Sequence, residues 1–271
     1  MDLMETNITE RKFLLNSIVN LDKYPLDNSV FVNQCKNSID ADGCVILPNF
    51  LREDSIEQLI QESNLNQCKA FYCEQNHSVY ISPPDENFPI DHALNRQVVS
   101  SKGCITDDQI GESSDLKVLY KSKLFRNFIA GVVGEGSLYE YADNLSSINI
   151  HYADESQELG WHFDNSSFAV TLLIQKSKKG GEFQYIRNFR DADNDEMNFD
   201  GVQQLLEGKL NYESLIMEPG TLVLFRGRNS IHRVTPVEGD LTRILAVLAY
   251  NSKSNVALSE TSRMTFYGRL D

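Results

Sequence analysis

The chain has 271 residues, 41% of them hydrophobic, with 39 acidic against 25 basic side chains and a formal net charge of −14. That length and apolar content suit one sizeable globular core. The acidic balance repels phosphate backbones, which argues against a nucleic-acid partner, and it tolerates a cationic small molecule.

The start, Met1-Asp2-Leu3-Met4-Glu5, lacks the apolar run of a secretory signal, and no stretch reaches the roughly eighteen apolar residues of a membrane span. Apolar residues at helical spacing predict a helix over residues 9 to 24, capped by Thr9, and a second over Ser29 to Ile39, ended by Asp42-Gly43. Cys44-Val45-Ile46-Leu47 reads as a short strand, Pro48-Asn49-Phe50-Leu51 as a turn, and Asp54 to Glu62 as a helix. Residues 66 to 112 are expected to stay loop-like, with short strands at Phe71-Tyr72 and Val79-Tyr80-Ile81, because Pro83, Pro84 and Pro89 interrupt them. Such a stretch beside a binding site often forms a lid. Leu116 to Val133 carries the apolar stripe of one amphipathic helix, stopped at Gly134. The five cysteines (Cys35, Cys44, Cys68, Cys73, Cys104) form an odd set without a C-x-x-C pair, which predicts reduced thiols and a cytoplasmic protein.

Ser147-Ile148-Asn149-Ile150-His151-Tyr152 then alternates as a strand should. In Trp161-His162-Phe163-Asp164 the same alternation points His162 and Asp164 one way, so one metal ion can touch both. Phe168 to Ile174 reads as a buried strand, and Lys179-Gly180-Gly181-Glu182 as a hairpin turn into Phe183-Gln184-Tyr185-Ile186. Ala192 to Asp200 should be an exposed loop, and Phe199 to Leu206 a short helix. Pro219-Gly220 opens the strand Thr221 to Phe225, His232 lies just beyond it, and Arg243 begins the apolar run Ile244 to Tyr250. Met264 to Gly268 alternates and is expected to return as a strand near the site. A bare H-x-D arises often by chance. With His232 on a neighbouring strand, however, two imidazoles and one carboxylate make the facial triad of non-haem Fe(II) oxygenases.

This order of strand, H-x-D, strand, G-G turn, P-G strand, histidine and arginine resembles the Fe(II)/2-oxoglutarate-dependent dioxygenases over roughly residues 137 to 251. The resemblance implies a mainly β fold with flanking helices: a double-stranded β-helix, or jelly-roll barrel, with an N-terminal helical extension. Residues 1–136 would form the helical and lid region and 137–271 the catalytic core of one integrated domain. It also implies His162, Asp164 and His232 as iron ligands, with Arg243 forked onto the distal carboxylate of 2-oxoglutarate. Tyr152 and Asn149 are further candidates for touching 2-oxoglutarate, and His151, on Asn149's side of the strand, competes for that role.

Three stretches carry a closer resemblance: Tyr139 to Asp143, Gly160 to Ser166, and Gly227 to Val237. They are similar to the free-amino-acid halogenases and hydroxylases related to the lysine 4-chlorinase. Chlorinating members of that family lack the carboxylate ligand; this sequence keeps Asp164, which implies hydroxylation. The resemblance further suggests Arg96 on the substrate's carboxylate and Asn165 near its polar end. Asn165 is neutral where an acidic residue is expected, and Val247 and Ala249 are apolar where polar contacts are sought. The expected activity is hydroxylation of an unactivated C–H bond in a small free amino acid, lysine or ornithine first, with Fe(II), 2-oxoglutarate and O2. Two alternatives stand beside it: an oxygenase acting on a peptide or carrier-bound amino acid, and a non-catalytic metal-binding jelly roll. An intact Arg243 argues against the second, and a closed zinc site would favour four ligands rich in thiolate.

Overall fold

The structure, a computed structural model, describes residues 14–271. The expected first helix falls partly outside that range. Residues 14–18 are helical, but Val19 bridges to Leu51 and the Asn20 amide bonds to the Phe50 carbonyl, so the helix stops well short of 24. Helix α1 (Ser29–Asp42) begins where Asn28 accepts hydrogen bonds from the Val30 and Phe31 amides, and it ends on Gly43 at φ 74°. Strand β1 (Cys44–Leu47) and helix α2 (Glu53–Asn66) follow as expected.

The next segment departs most from expectation. It holds two long paired strands, β2 (Phe71–Ser78) and β3 (Gln97–Ile105), and Val79 to Ile81 is not a strand. These strands neither alternate polar with apolar residues nor carry a continuous apolar run, so their pairing is invisible to hydrophobic pattern. Leu116 to Val133 is two helices, α3 (Asp115–Lys121) and α4 (Lys123–Val133). Ser122 breaks them: its backbone is extended, and its hydroxyl accepts from the Phe125 amide to cap α4.

The remaining elements are β4 (Ile148–Ala153), β5 (Leu159–His162), β6 (Ala169–Gln175), β7 (Lys179–Gly180), β8 (Phe183–Ile186), α5 (Phe199–Leu206), β9 (Glu213–Leu215), β10 (Leu222–Phe225), β11 (Ile231–Val234), β12 (Val237–Glu238), β13 (Arg243–Leu248) and α6 (Glu260–Tyr267). Their pairing is nested: β4 with β13, β5 with β11, β6 with β10, β8 with β9. Contacts β13–β6 and β11–β8 join these pairs into two antiparallel layers, and β3 spans both by pairing with β4 and, at Ser100–Leu159, with β5. A long antiparallel ribbon rolled up in this way is the double-stranded β-helix, and the fold is mainly β with flanking helices. The β6 and β8 strands do not form the expected hairpin. Gly180 and Gly181 (φ 65° and 64°) instead carry the chain from one layer to the other.

Alternation sorts β4 and β13. Ile148, Ile150, Tyr152, Ile244, Ala246 and Leu248 face outward and form the main core with residues of α1 to α4, including Phe125 and Phe128. Asn149, His151, Arg243, Leu245 and Val247 face inward. Residues 264–268 form no strand. Helix α6 is capped by Ser259, which accepts from the Ser262 amide, and ends on Gly268 at φ 69°. No helix among the described residues is long and apolar enough to cross a membrane.

Candidate active site

His162 ends β5 and His232 lies directly opposite it on β11, so the sheet register alone brings the two imidazoles together, 4.2 Å between ring centroids. Asp164 follows two residues later. Its Oδ1 lies 3.8 Å from His162 Nε2 and 3.5 Å from His232 Nε2. One ligand atom from each residue fits within 4.8 Å of the others. The Nδ1 of His162 bonds to the Gly160 carbonyl at 2.7 Å and that of His232 to the Ser230 carbonyl at 3.0 Å. A ring nitrogen facing a carbonyl must carry the proton, which leaves both Nε2 lone pairs free for a metal. The donor set therefore fits a divalent iron ion.

Burial, and then the charge of His232, holds the His162 pKa well below its ordinary value. Burial also lowers His232, but the Asp164 carboxylate outweighs it and the net shift is upward. For Asp164 burial pushes the pKa up, His232 pulls it down, and the pull wins. Phe183 and Phe225 flank His232, with ring centroids at 5.5 and 4.9 Å, and keep that side of the site apolar. Gly227 sets the fit of the carboxylate. The Asp164 amide bonds to its carbonyl, and a Cβ built on Gly227 would lie 1.8 Å from Asp164 Oδ2.

Arg243 is buried at 5% exposure, and among the described residues no carboxylate pairs with it. Burial pulls its pKa down to about 10, so the guanidinium stays charged at neutral pH. A buried cation without a partner is costly, and a ligand carboxylate would relieve that cost. Gly181 lets the chain pass close by: a Cβ there would lie 2.8 Å from Arg243 Cδ.

The other expected residues divide. Asn149 faces inward, but its amide is committed: Nδ2 donates to the Leu145 and Ile148 carbonyls and Oδ1 accepts from the Tyr267 hydroxyl. Tyr152 does not reach the site. It points into the outer core and donates to the Ser63 carbonyl at 2.8 Å, because it lies one residue out of phase with Asn149 and His151. Arg96 donates to the Leu206 carbonyl beside α5 and makes no contact with the triad, and Asn165 is exposed. His151 does face inward. Burial first, then the charges of Lys102 and Arg243, keep its pKa well below the usual histidine value.

Sequence reasoning missed Lys102. It stands on β3 with its Nζ at 3.2 and 3.3 Å from the two ring nitrogens of His151 and 5.5 Å from the Phe266 ring centroid. Burial lowers its pKa, and its charge is felt by Asp164. A cavity of about 190 Å³ lies against it, walled by β4, β13 and α6 through Asn149, His151, Val247, Ala249, Phe266 and Tyr267. A β-strand assignment for residues 97–105 was the signal that would have exposed it.

Residues 89–267 match the family Halogenase D (HalD), which is more than half of the chain. The chain belongs to the Halogenase D family. The matched span contains the triad, Arg243, Lys102 and α6. No curated protein matches the chain. Among solved structures it is similar to a 2OG-Fe(II) oxygenase family oxidoreductase from Burkholderia pseudomallei, at 13% identity and TM-score 0.53 over 84% of this chain and 94% of that one. It is also similar to the non-heme alpha ketoglutarate dependent epimerase SnoN from nogalamycin biosynthesis, at 9% identity and TM-score 0.57 over 82% and 84%. A third is a prolyl hydroxylase from Trichoplax adhaerens in complex with a hypoxia inducible factor oxygen degradation domain peptide, at 15% identity and TM-score 0.52 over 82% and 90%. At these identities the likeness is one of fold.

Proposed function

We propose that this chain is an Fe(II)/2-oxoglutarate-dependent oxygenase that hydroxylates an unactivated C–H bond of a small free amino acid. One observation carries the reading: three metal-ligating atoms converge inside a barrel whose inner face also holds a buried, carboxylate-free arginine. His162, Asp164 and His232 would hold the iron, and Arg243 would take the distal carboxylate of 2-oxoglutarate. Iron with 2-oxoglutarate supplies the oxidation: one oxygen atom of O2 enters the product, and the other goes to succinate as carbon dioxide leaves. The chain's own part is positional. The backbone carbonyls of Gly160 and Ser230 fix the imidazole tautomers, Gly227 leaves room for the Asp164 carboxylate, and Phe183 and Phe225 exclude water from the His232 side. Asp164 supplies a protein ligand where chlorinating enzymes leave an open place for chloride, which supports hydroxylation.

The cavity supports a small substrate, since 190 Å³ is below the roughly 300–1,000 Å³ of pockets for drug-sized ligands. Lysine and ornithine stood first on sequence grounds. The cavity wall carries no carboxylate, however, and Val247 and Ala249 offer an ammonium nothing, which supports an amino acid with an uncharged side chain ahead of them. All five cysteines are free, in keeping with a reducing, cytoplasmic setting. We read the N-terminal part and the barrel as one integrated unit, a reading supported by β1 and β3, which extend the barrel's own layers.

The test is a screen of free amino acids with Fe(II), 2-oxoglutarate and O2, read by mass spectrometry for a gain of one oxygen and by succinate release. A hydroxylated free amino acid is expected. Oxygen incorporated only into a lysine-containing peptide would overturn the free-substrate reading, and chlorinated product would overturn hydroxylation.

A further inference from the structure

Two positive side chains face the interior of the barrel without a carboxylate in salt-bridge contact, and 2-oxoglutarate accounts for one. Sheet register separates them. Arg243 pairs with Ala153 at one end of β4, whereas the cavity runs along Asn149 and Val247 toward Ala249 at the other end. Arg243 does not line that cavity; Lys102 does. His151 lies between and feels the charge of both.

Lys102 makes no salt bridge among the described residues, the Asp164 carboxylate acts on it only from beyond salt-bridge distance, and no acidic side chain lines the cavity. Its Nζ is nearly equidistant from both nitrogens of His151, so it points along neither ring lone pair, and the imidazole is a poor substitute for an anion. Asn149 has no spare capacity to help, because its amide is already held by Leu145, Ile148 and Tyr267. An interior ammonium in this state is destabilising unless something anionic completes it.

We infer that Lys102 determines specificity for the prime substrate: its ammonium takes the substrate's carboxylate in the cavity between β4, β13 and α6, and the enzyme thereby selects amino acids with an uncharged side chain over basic ones. The inference rests on the free-amino-acid reading above and replaces Arg96, which is tied to α5, as the carboxylate partner. A basic side chain would find no counter-charge on the walls formed by Val247, Ala249, Phe266 and Tyr267. It would also share a small cavity with a like charge.

The experiment is anaerobic calorimetry on the full chain loaded with Fe(II), titrated with 2-oxoglutarate and then with each of the twenty free amino acids and their C-terminal amides. Loss of a charge-assisted contact of this kind weakens binding roughly 10- to 100-fold. The wild type should therefore prefer an uncharged amino acid over its amide by that factor. Lys102→Met should bring the acid down to the level of the amide and leave the amide unchanged, Lys102→Arg should restore most of the preference, and the 2-oxoglutarate Kd should stay as in the wild type. Retained 2-oxoglutarate binding also reports a folded variant, and the wild-type comparison of acid with amide needs no variant at all. Three results overturn the inference: an acid-over-amide preference that survives Lys102→Met, a loss confined to 2-oxoglutarate, or tighter binding of lysine and ornithine than of uncharged amino acids. If the wild type binds 2-oxoglutarate but no free amino acid, the substrate reading beneath it fails as well, which separates the two failures.

Discussion

The two faces of the β4–β13 pair differ in almost every physical respect, although adjacent residues supply them. The outer face (Ile148, Ile150, Tyr152, Ile244, Ala246, Leu248) is wholly buried and, apart from one phenol, hydrocarbon. The inner face (Asn149, His151, Arg243, Leu245, Val247) carries a buried guanidinium, a neutral imidazole and a locked amide. The outer face holds the barrel to its helices, and its one polar atom is satisfied by the Ser63 carbonyl. The inner face leaves charge without a partner. Stability and chemistry are thus interleaved at a period of two, and a shift of one residue moves a side chain from one task to the other.

Breaking the inner face should have the largest effect. Arg243→Leu removes the buried cation, and truncating one partner of such a pair costs about 2–5 kcal/mol of binding. The KM for 2-oxoglutarate should rise steeply while that for the prime substrate changes little; an equal rise in both would move the role elsewhere. Gly227→Ala tests the iron corner without touching a ligand. Its Cβ would collide with the Asp164 carboxylate, so iron affinity, measured by equilibrium dialysis, should fall about 10- to 100-fold with the fold intact. Unchanged affinity would mean that Asp164 is not held where it stands.

On the outer face the prediction reverses. Tyr152→Phe deletes one buried hydrogen bond, which should lower stability to denaturant by about 1 kcal/mol and leave the KM for 2-oxoglutarate unchanged. A raised KM would put the phenol back in the site. The smallest effect concerns the cover of the inner face. Arg269, just after α6, binds both carboxylate oxygens of Asp108. Burial pushes the Asp108 pKa up, but the hydrogen bonds from Arg269 and Thr106 and the charge of Arg269 outweigh it together and the net shift is downward. A lowered folded pKa contributes stability that is full above the unfolded value, about 3.9, and fades as pH falls through the folded one. The two side chains are 30% and 37% exposed, so solvent screens the pair and the contribution is at most about 1 kcal/mol. Asp108→Asn should therefore lower neutral-pH stability by no more than that amount, leave stability in strong acid as it was, and so flatten the acid limb only slightly in denaturant titrations taken across pH.

The triad and Arg243 were legible because each sits in or beside a strand with a strong apolar pattern, where alternation alone assigns a face. Tyr152 was misjudged by the same rule: it was grouped with Asn149, three residues before it and therefore on the opposite face. Lys102 was illegible for a different reason. Its strand, Gln97 to Ile105, reads as polar and small, and only pairing with β2 and β4 makes it a strand at all. The capped helix α6 was likewise misread, since five alternating residues outweighed the Ser259 cap and the Gly268 stop. Register, caps and layer crossings come from contacts distant in sequence, and they decide which polar residues meet.

The central claim is that His162, Asp164 and His232 hold iron and that 2-oxoglutarate binds upon it. Anaerobic calorimetry with 2-oxoglutarate tests this directly, on the full chain with and without Fe(II) and on His162→Ala and His232→Ala. The wild type should bind 2-oxoglutarate tightly only when Fe(II) is present, and both variants should lose iron and that binding together while keeping the wild-type circular dichroism spectrum. Iron content and 2-oxoglutarate binding unchanged in the two variants would contradict the account.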